Sequence, residues 1–117
     1  MLDLESKKKT WDDLKIPTSI REGLEDLSMY KPSIIQAQSI PLINDNPQKN
    51  YMFQAINGSG KTLSFGLPSL LRVDPNNPNI QVVILANTRE LNRQIVQVLQ
   101  RVTTRVTPKI TILVGDS

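Results

Sequence analysis

The sequence predicts an α/β domain, a parallel sheet with flanking helices that reads as truncated. Three observations carry that prediction. Short apolar runs, Tyr51 to Ala55, Ile80 to Ala86 and Lys109 to Val114, alternate with longer stretches at helical spacing. A Gly-rich turn, Gly58-Ser59-Gly60, lies between the first run and a helix. The 117 residues suffice for one core, and no apolar run approaches the roughly 20 residues that cross a bilayer.

Taken in order, residues 1–10 (MLDLESKKKT) read as a flexible leader with none of the apolar character of a signal peptide. Ser19 and Glu22 form an S-x-x-E capping box, with Ile20, Leu24 and Leu27 at helical spacing and Pro17 two residues before the cap. Ser33 and Gln36 repeat the device as S-x-x-Q, leading into Ala37 and Ile40. Pro41 is expected to break or kink that helix before Leu42 and Ile43. Residues 11–43 thus form one helical segment, followed by a loop to Asn50. After the strand at Tyr51 to Ala55, Lys61 to Val73 reads as a helix kinked near Gly66 and Pro68. Asp74 to Asn79 is a loop, and the β-branched run Ile80 to Ala86 a strand. Glu90 to about Thr104 is helical, its apolar stripe being Leu91, Ile95, Val98, Leu99 and Val102. Lys109 to Val114 is the third strand. Three strands and two helices are half of a doubly wound sheet, so residues 51–117 read as an incomplete domain. Its uncovered strand edges predict self-association or strand exchange.

Composition narrows the chemistry. Without cysteine there is no disulfide, thiolate nucleophile or thiolate metal site, and without histidine the commonest general base and metal ligand are missing. A soluble intracellular protein without membrane contact is expected, working through Lys, Ser/Thr, Asp/Glu, Arg, backbone amides or a bound ligand. The net charge is +3, unevenly placed. Residues 1–30 carry five Lys/Arg against seven Asp/Glu, and residues 31–117 nine against four. A basic C-terminal portion favours polyanionic partners, although the same lysines and arginines also serve solubility.

The strongest motif is Ala55-Ile56-Asn57-Gly58-Ser59-Gly60-Lys61-Thr62, between a predicted strand and a predicted helix. Glycines let successive backbone N–H groups turn inward onto phosphate oxygens, and the helix N-terminus adds positive potential. Lys61 then reaches the β- and γ-phosphates, and the Thr62 hydroxyl helps hold Mg²⁺. Upstream, Lys31-Pro32-Ser33-Ile34-Ile35-Gln36 resembles the Q motif of DEAD-box RNA helicases, and Trp11 lies 17 residues before Ser28, where that motif begins. A glutamine amide donates and accepts at one adenine edge, separating ATP from GTP. Gln36 is equally the N3 member of a capping box. Trp11 has two readings as well, an aromatic of the nucleotide site or a core residue packed behind it. Asn87-Thr88-Arg89-Glu90-Leu91-Asn92-Arg93-Gln94 resembles motif Ia of the family, which lies along the RNA backbone. Arg89, Arg93, Gln97 and Arg101 recur every four residues, with Arg105 beyond, as a phosphate-facing ridge or a solvated helix face.

The resemblance covers about residues 10–117 and implies the first RecA-like domain of a P-loop, ATP-dependent RNA helicase. It implies that Trp11, Met29, Tyr30, Lys31, Ser33, Gln36 and residues Ala55, Ile56, Asn57, Gly58, Ser59, Gly60, Lys61 and Thr62 bind ATP or ADP. Lys61 and Thr62 are the catalytic members, and Thr62 is the Mg²⁺ ligand. It implies RNA contact at Asn87, Thr88, Arg89, Glu90, Arg93, Gly115 and Asp116, the last two near the family's GG motif. The sequence departs from the family at Asn57, at Asn87 in place of a proline, and at Ser28-Met29 in place of Gly-Phe. Longer stretches look most like the helicases that remodel messenger RNA–protein particles during export, which implies cytoplasm or nucleus, and nuclear-pore partners. No D-E-A-D occurs in these 117 residues, so they are expected to be inactive alone. A non-catalytic nucleotide- or RNA-binding module and a fragment of another P-loop enzyme are the alternative readings.

Overall fold

The computed structural model describes residues 9–52 and 60–115. Thr10, the last residue assigned to the leader, is tied to the residues that follow it. Its amide donates to Asp13 Oδ2 (2.8 Å), and the Asp13 amide donates to Thr10 Oγ1 (3.1 Å). This reciprocal pair starts a turn that delivers Trp11, Leu14 and Ile16 to the core. The Thr10 amide, and after it the Thr10 hydroxyl, favour the charged Asp13 carboxylate and hold it below its ordinary range.

Four helices follow: α1 (Thr18–Asp26), α2 (Ile34–Asp45), α3 (Lys61–Leu71) and α4 (Arg89–Val102). The predicted capping box at Ser19 does not form. Pro17 is the N-cap, at φ −59° and ψ 150°, so α1 starts two residues earlier and Ser19 falls in its first turn. Glu22 lies instead 3.5 Å from the Arg105 guanidinium. The box at Ser33 does form: Gln36 N–H donates to Ser33 Oγ (3.3 Å), and Ser33 N–H to Gln36 Oε1 (2.9 Å).

Pro41 does not end α2, which runs on to Asp45. The final turn is secured from outside: the Tyr51 hydroxyl lies 2.8 Å from the carbonyls of Leu42 and Asn46, and Arg72 Nη2 donates to the Ile43 carbonyl (3.1 Å). Such external donors satisfy the carbonyls that a helix end leaves without partners. α3 likewise passes through Gly66 and Pro68, ending at Leu71 rather than Val73. A Cβ on Gly66 would come 2.8 Å from Leu99 Cδ2, so this glycine admits α4. α4 starts at Arg89, one residue before the expected Glu90. Thr88 is its N-cap, with Oγ1 accepting from the Leu91 amide (3.1 Å).

α2 packs on α3, α1 on α4, and one cluster joins Trp11, Leu24, Ile40, Leu67, Leu99 and Val102 at its centre. The backbones of α1 and α4 come close at Gly23, where a Cβ would lie 2.3 Å from the Val102 carbonyl oxygen.

The predicted strands are not formed among the described residues. Ile80 to Ala86 and Lys109 to Val114 enter no ladder, and most of Tyr51 to Ala55 lies outside the described residues. The two-residue alternation survives. Ile84, Ala86, Ile110 and Ile112 pack on the core, while Val83, Leu85 and Leu113 face outward. An apolar β-branched run specifies this pleat by itself, but a strand needs the N–H and C=O groups of a neighbour.

Candidate functional site

The first site is built around Gln36. Its amide is 4% exposed and completely oriented: Oε1 accepts from Ser33 N–H, and Nε2 donates to the Gly60 carbonyl (3.0 Å). One amide hydrogen and one oxygen lone pair remain beyond these two bonds, the donor–acceptor pair that an adenine edge requires. Gly60 is the N-cap of α3, in the left-handed region at φ +86°. A Cβ there would sit 2.2 Å from Gln36 Nε2. The glycine is therefore needed twice, for its backbone angle and for the approach of Gln36. Lys61, exposed, and Thr62, half-buried, open α3 directly after it. The residues Ala55, Ile56, Asn57, Gly58 and Ser59, assigned to the phosphate loop, lie outside the described residues, as does Asp116.

Trp11 is 1% exposed, and its indole Nε1–H donates to the Met29 carbonyl (2.9 Å). No face of the ring is open to a base, so its bearing on a ligand runs through the backbone at Met29. That backbone is already fixed by a helix-terminating pair: Ser28 N–H donates to the Glu25 carbonyl, and Met29 N–H to the Leu24 carbonyl, both at 2.9 Å. This is the Schellman arrangement, with Ser28 at its left-handed position (φ 61°). Sequence reasoning noted Ser28 in place of glycine without assigning it this role; the helical stripe ending at Leu27 was the available signal. Met29 is half-buried, while Tyr30 is 67% exposed and Lys31 exposed, so Tyr30 offers an accessible ring.

The second site follows α4. Asn87, Thr88, Arg89, Glu90, Arg93 and Arg101 are all exposed, as is Gly115. Arg105 stands apart from this row. Its Nε and Nη2 donate to Asp26 Oδ2 and Oδ1 (2.8 and 3.1 Å), tying the end of α4 to α1. The pair holds the Asp26 carboxyl below its ordinary range and raises Arg105. Among the described residues, no group of three or more acidic, His or Cys side chains gathers as a metal site. A magnesium ion carried in by phosphates needs no such cage, and Thr62 at the start of α3 fits that mode. No helix among the described residues is long and apolar enough to cross a membrane.

Comparison with known proteins points to one family. The DEAD/DEAH box helicase family matches residues 33–117. The chain is 42% identical over 91 residues to the ATP-dependent RNA helicase DBP5 of Meyerozyma guilliermondii, covering 78% of this chain and 19% of that protein. To DBP5 of Saccharomyces cerevisiae it is 36% identical over 111 residues, covering 93% and 23%. The solved structure of S. cerevisiae Dbp5 bound to RNA and ADP BeF3 superposes with a TM-score of 0.79 at 36% identity, covering 84% of this chain and 25% of that one. A variant of the same protein bound to Gle1 and IP6 gives a TM-score of 0.77 at 36% identity, covering 83% and 25%. The chain thus spans about a fifth of the length of the curated relatives it matches. With that match over residues 33–117 and its RecA-like helicase neighbours among solved structures, the chain belongs to the DEAD/DEAH box helicase family.

Proposed function

We propose that these residues are the ATP- and RNA-binding N-terminal part of an ATP-dependent RNA helicase that remodels RNA or RNA–protein complexes. The observation carrying this reading is the Gln36–Gly60 hydrogen bond, which joins the adenine-reading motif to the first turn of the helix bearing Lys61 and Thr62. Gln36 recognises adenine with its remaining donor and acceptor, and Tyr30 or Met29 covers the base. Ser33 and Lys31 support that wall. The α3 N-terminus, Lys61 and residues 55–60 take the phosphates, and Thr62 holds Mg²⁺. Asn87, Thr88, Arg89, Glu90, Arg93, Gly115 and Asp116 lie along the sugar–phosphate backbone of RNA, which makes binding largely independent of sequence. In the whole protein the apolar runs pair into the parallel RecA-like sheet. Similarity to DBP5 extends the proposal to messenger RNA export in cytoplasm or nucleus at the nuclear pore, with a partner of the Gle1 type.

The test uses the single tryptophan. Trp11 is bonded to the Met29 carbonyl, so ligand contact at residues 29–36 is expected to change its emission. Mg-ADP is titrated against Mg-GDP, with calorimetry in parallel on the wild type and on Gln36→Ala. Saturable ADP binding that exceeds GDP and weakens about tenfold or more in Gln36→Ala is expected, the loss of hydrogen bonds to one ligand edge. Equal affinity for ADP and GDP, or binding indifferent to Gln36, would overturn the adenine-reading assignment.

A further inference from the structure

Past Arg93, the last residue of α4 in the RNA contact proposed above, the row of exposed polar side chains continues through Gln97 to Arg101. Neither the Arg93 nor the Arg101 guanidinium has a hydrogen-bond or ion-pair partner among the described residues. Other arginines are engaged: Arg21 with Glu25 (2.8 Å), Arg72 with the Ile43 carbonyl (3.1 Å) and Arg105 with Asp26 (2.8 Å). Four residues advance a helix by about 6 Å, a step close to the separation of neighbouring phosphates along an RNA strand. The row ends at a recess of about 390 Å³ between the end of α1 and α4. Leu27, Met29 and Val98 give it an apolar wall, and Ser28, Gln97 and Arg101 give it polar edges. Asp26 borders it too, but Arg105 takes both carboxylate oxygens, so the charge left open there is that of Arg101.

We propose that an RNA strand leaving the Asn87 to Arg93 contacts follows α4 for about 12 Å, with phosphates on Arg93, Gln97 and Arg101 and one unstacked base in the recess. This track rests on Asn87 to Arg93 being RNA contacts and lengthens that site by two side chains. A phosphodiester strand is the occupant that the charge pattern selects. Two free guanidinium groups, with an amide donor halfway between them, match evenly spaced monoanions. The flat faces of a base suit the wall of Leu27, Met29 and Val98. A volume of about 390 Å³ falls in the range of small-molecule sites, so one base has room. An acidic peptide brings carboxylates on flexible stems, with no such fixed interval. Duplex RNA keeps its bases stacked and has none to place in the recess.

Fluorescence anisotropy on the 117-residue chain tests this with two labelled oligouridylates. One has about four nucleotides, enough for Asn87 to Arg93, and the other about eight. The longer strand is expected to bind more tightly. Arg101→Gln and Gln97→Glu, both at exposed positions, should weaken it roughly fivefold or more and leave the shorter one unchanged. In Arg101→Gln the log–log salt dependence of the longer strand should fall by about 0.7, the share of one phosphate contact. Lys49→Gln removes an exposed cation from the loop after α2 and changes neither affinity. Arg89→Ala weakens both strands, which checks the underlying RNA reading separately. If RNA binds and depends on Arg89 while the longer strand ignores Arg101 and Gln97, the track is overturned and the RNA reading stands. An equal loss for both lengths also overturns the track, as a general effect of charge. Failure to bind RNA of either length, or binding indifferent to Arg89, overturns the RNA reading and the track with it. A polyglutamate peptide held through Arg101, with RNA indifferent to that residue, would assign the recess to an acidic peptide instead.

Discussion

At Gly60 two constraints fall on one backbone position. Its φ of +86° is a region that side-chain-bearing residues rarely adopt, and its missing Cβ is where the Gln36 amide arrives. Gly60→Ala therefore displaces Gln36 as well as straining the turn. In calorimetry it is expected to lower Mg-ADP affinity at least about tenfold, while far-UV dichroism keeps the helical signal; unchanged affinity would show that Gln36 need not sit on α3. Ser28 poses the opposite case. It occupies the left-handed position of a Schellman turn, at φ 61°, without glycine's freedom. Ser28→Gly is expected to stabilise the chain by about 0.5–1 kcal/mol, less than the full left-handed cost because glycine also loosens the unfolded chain. The midpoint of urea unfolding measures it, and a lower midpoint would contradict the assignment. The Gly60-Lys61-Thr62 start of α3 was legible because glycine, lysine and threonine spacing encodes it directly. The duty of Ser28 was hidden, since nothing in a serine announces a positive φ.

Between elements, α1 and α4 meet at Gly23 and are tied by Arg105. Capping residues gave the boundaries of these helices with mixed success, for a physical reason. Ser33 and Gln36 close on each other because both are uncharged, so no distant ion pair draws either away, and the Gln36 amide bonds Gly60 through its nitrogen while its oxygen keeps the box. Glu22 faces Arg105, an attraction invisible to local spacing since 83 residues separate them. The same long-range pairing removes Arg105 from the arginine row of α4. It also makes the α1–α4 contact acid-sensitive. The Asp26 carboxyl titrates below its ordinary value near 3.9 because Arg105 bonds its charged form. Its contribution to stability is therefore present above that value and is lost as pH falls through the lower folded-state pKa. Asp26→Asn is expected to be less stable than the wild type at neutral pH. The difference should shrink as the pH drops below about 4, because protonated aspartic acid and asparagine are then alike in charge. Thermal unfolding of both proteins across pH 2 to 7, values bracketing that ordinary range, makes the comparison. A gap that persists at the acid end would assign the effect to packing.

Over the whole molecule, what the sequence specified and what it left open divide along one line. Helices satisfy their own backbone, so α1 to α4 appear near their predicted places. A strand takes half of its definition from a neighbour, so Ile84 and Ile112 keep their pleat while no ladder forms among the described residues. The same division separates binding from turnover. In the function proposed above, adenine reading and phosphate contact rest on residues 28–62, which these 117 residues contain, whereas the D-E-A-D carboxylates that would position an attacking water do not occur among them. Mg-ADP at a hundred times its dissociation constant is therefore expected to stabilise the fold by about 2.7 kcal/mol, a rise in unfolding temperature on the order of 10 °C. Mg-ATP should stabilise it comparably, yet phosphate release should stay at the level of a Lys61→Ala control, because a bound nucleotide without a positioned nucleophile gains no transition-state stabilisation. Differential scanning fluorimetry and a phosphate-release assay on the same samples give both readings. Stabilisation without turnover is the result expected of a nucleotide-holding half-site. Turnover that disappears in Lys61→Ala would mean that another residue of this chain supplies the water-positioning group, and Glu90, the acidic side chain in the first turn of α4, would be the first to replace.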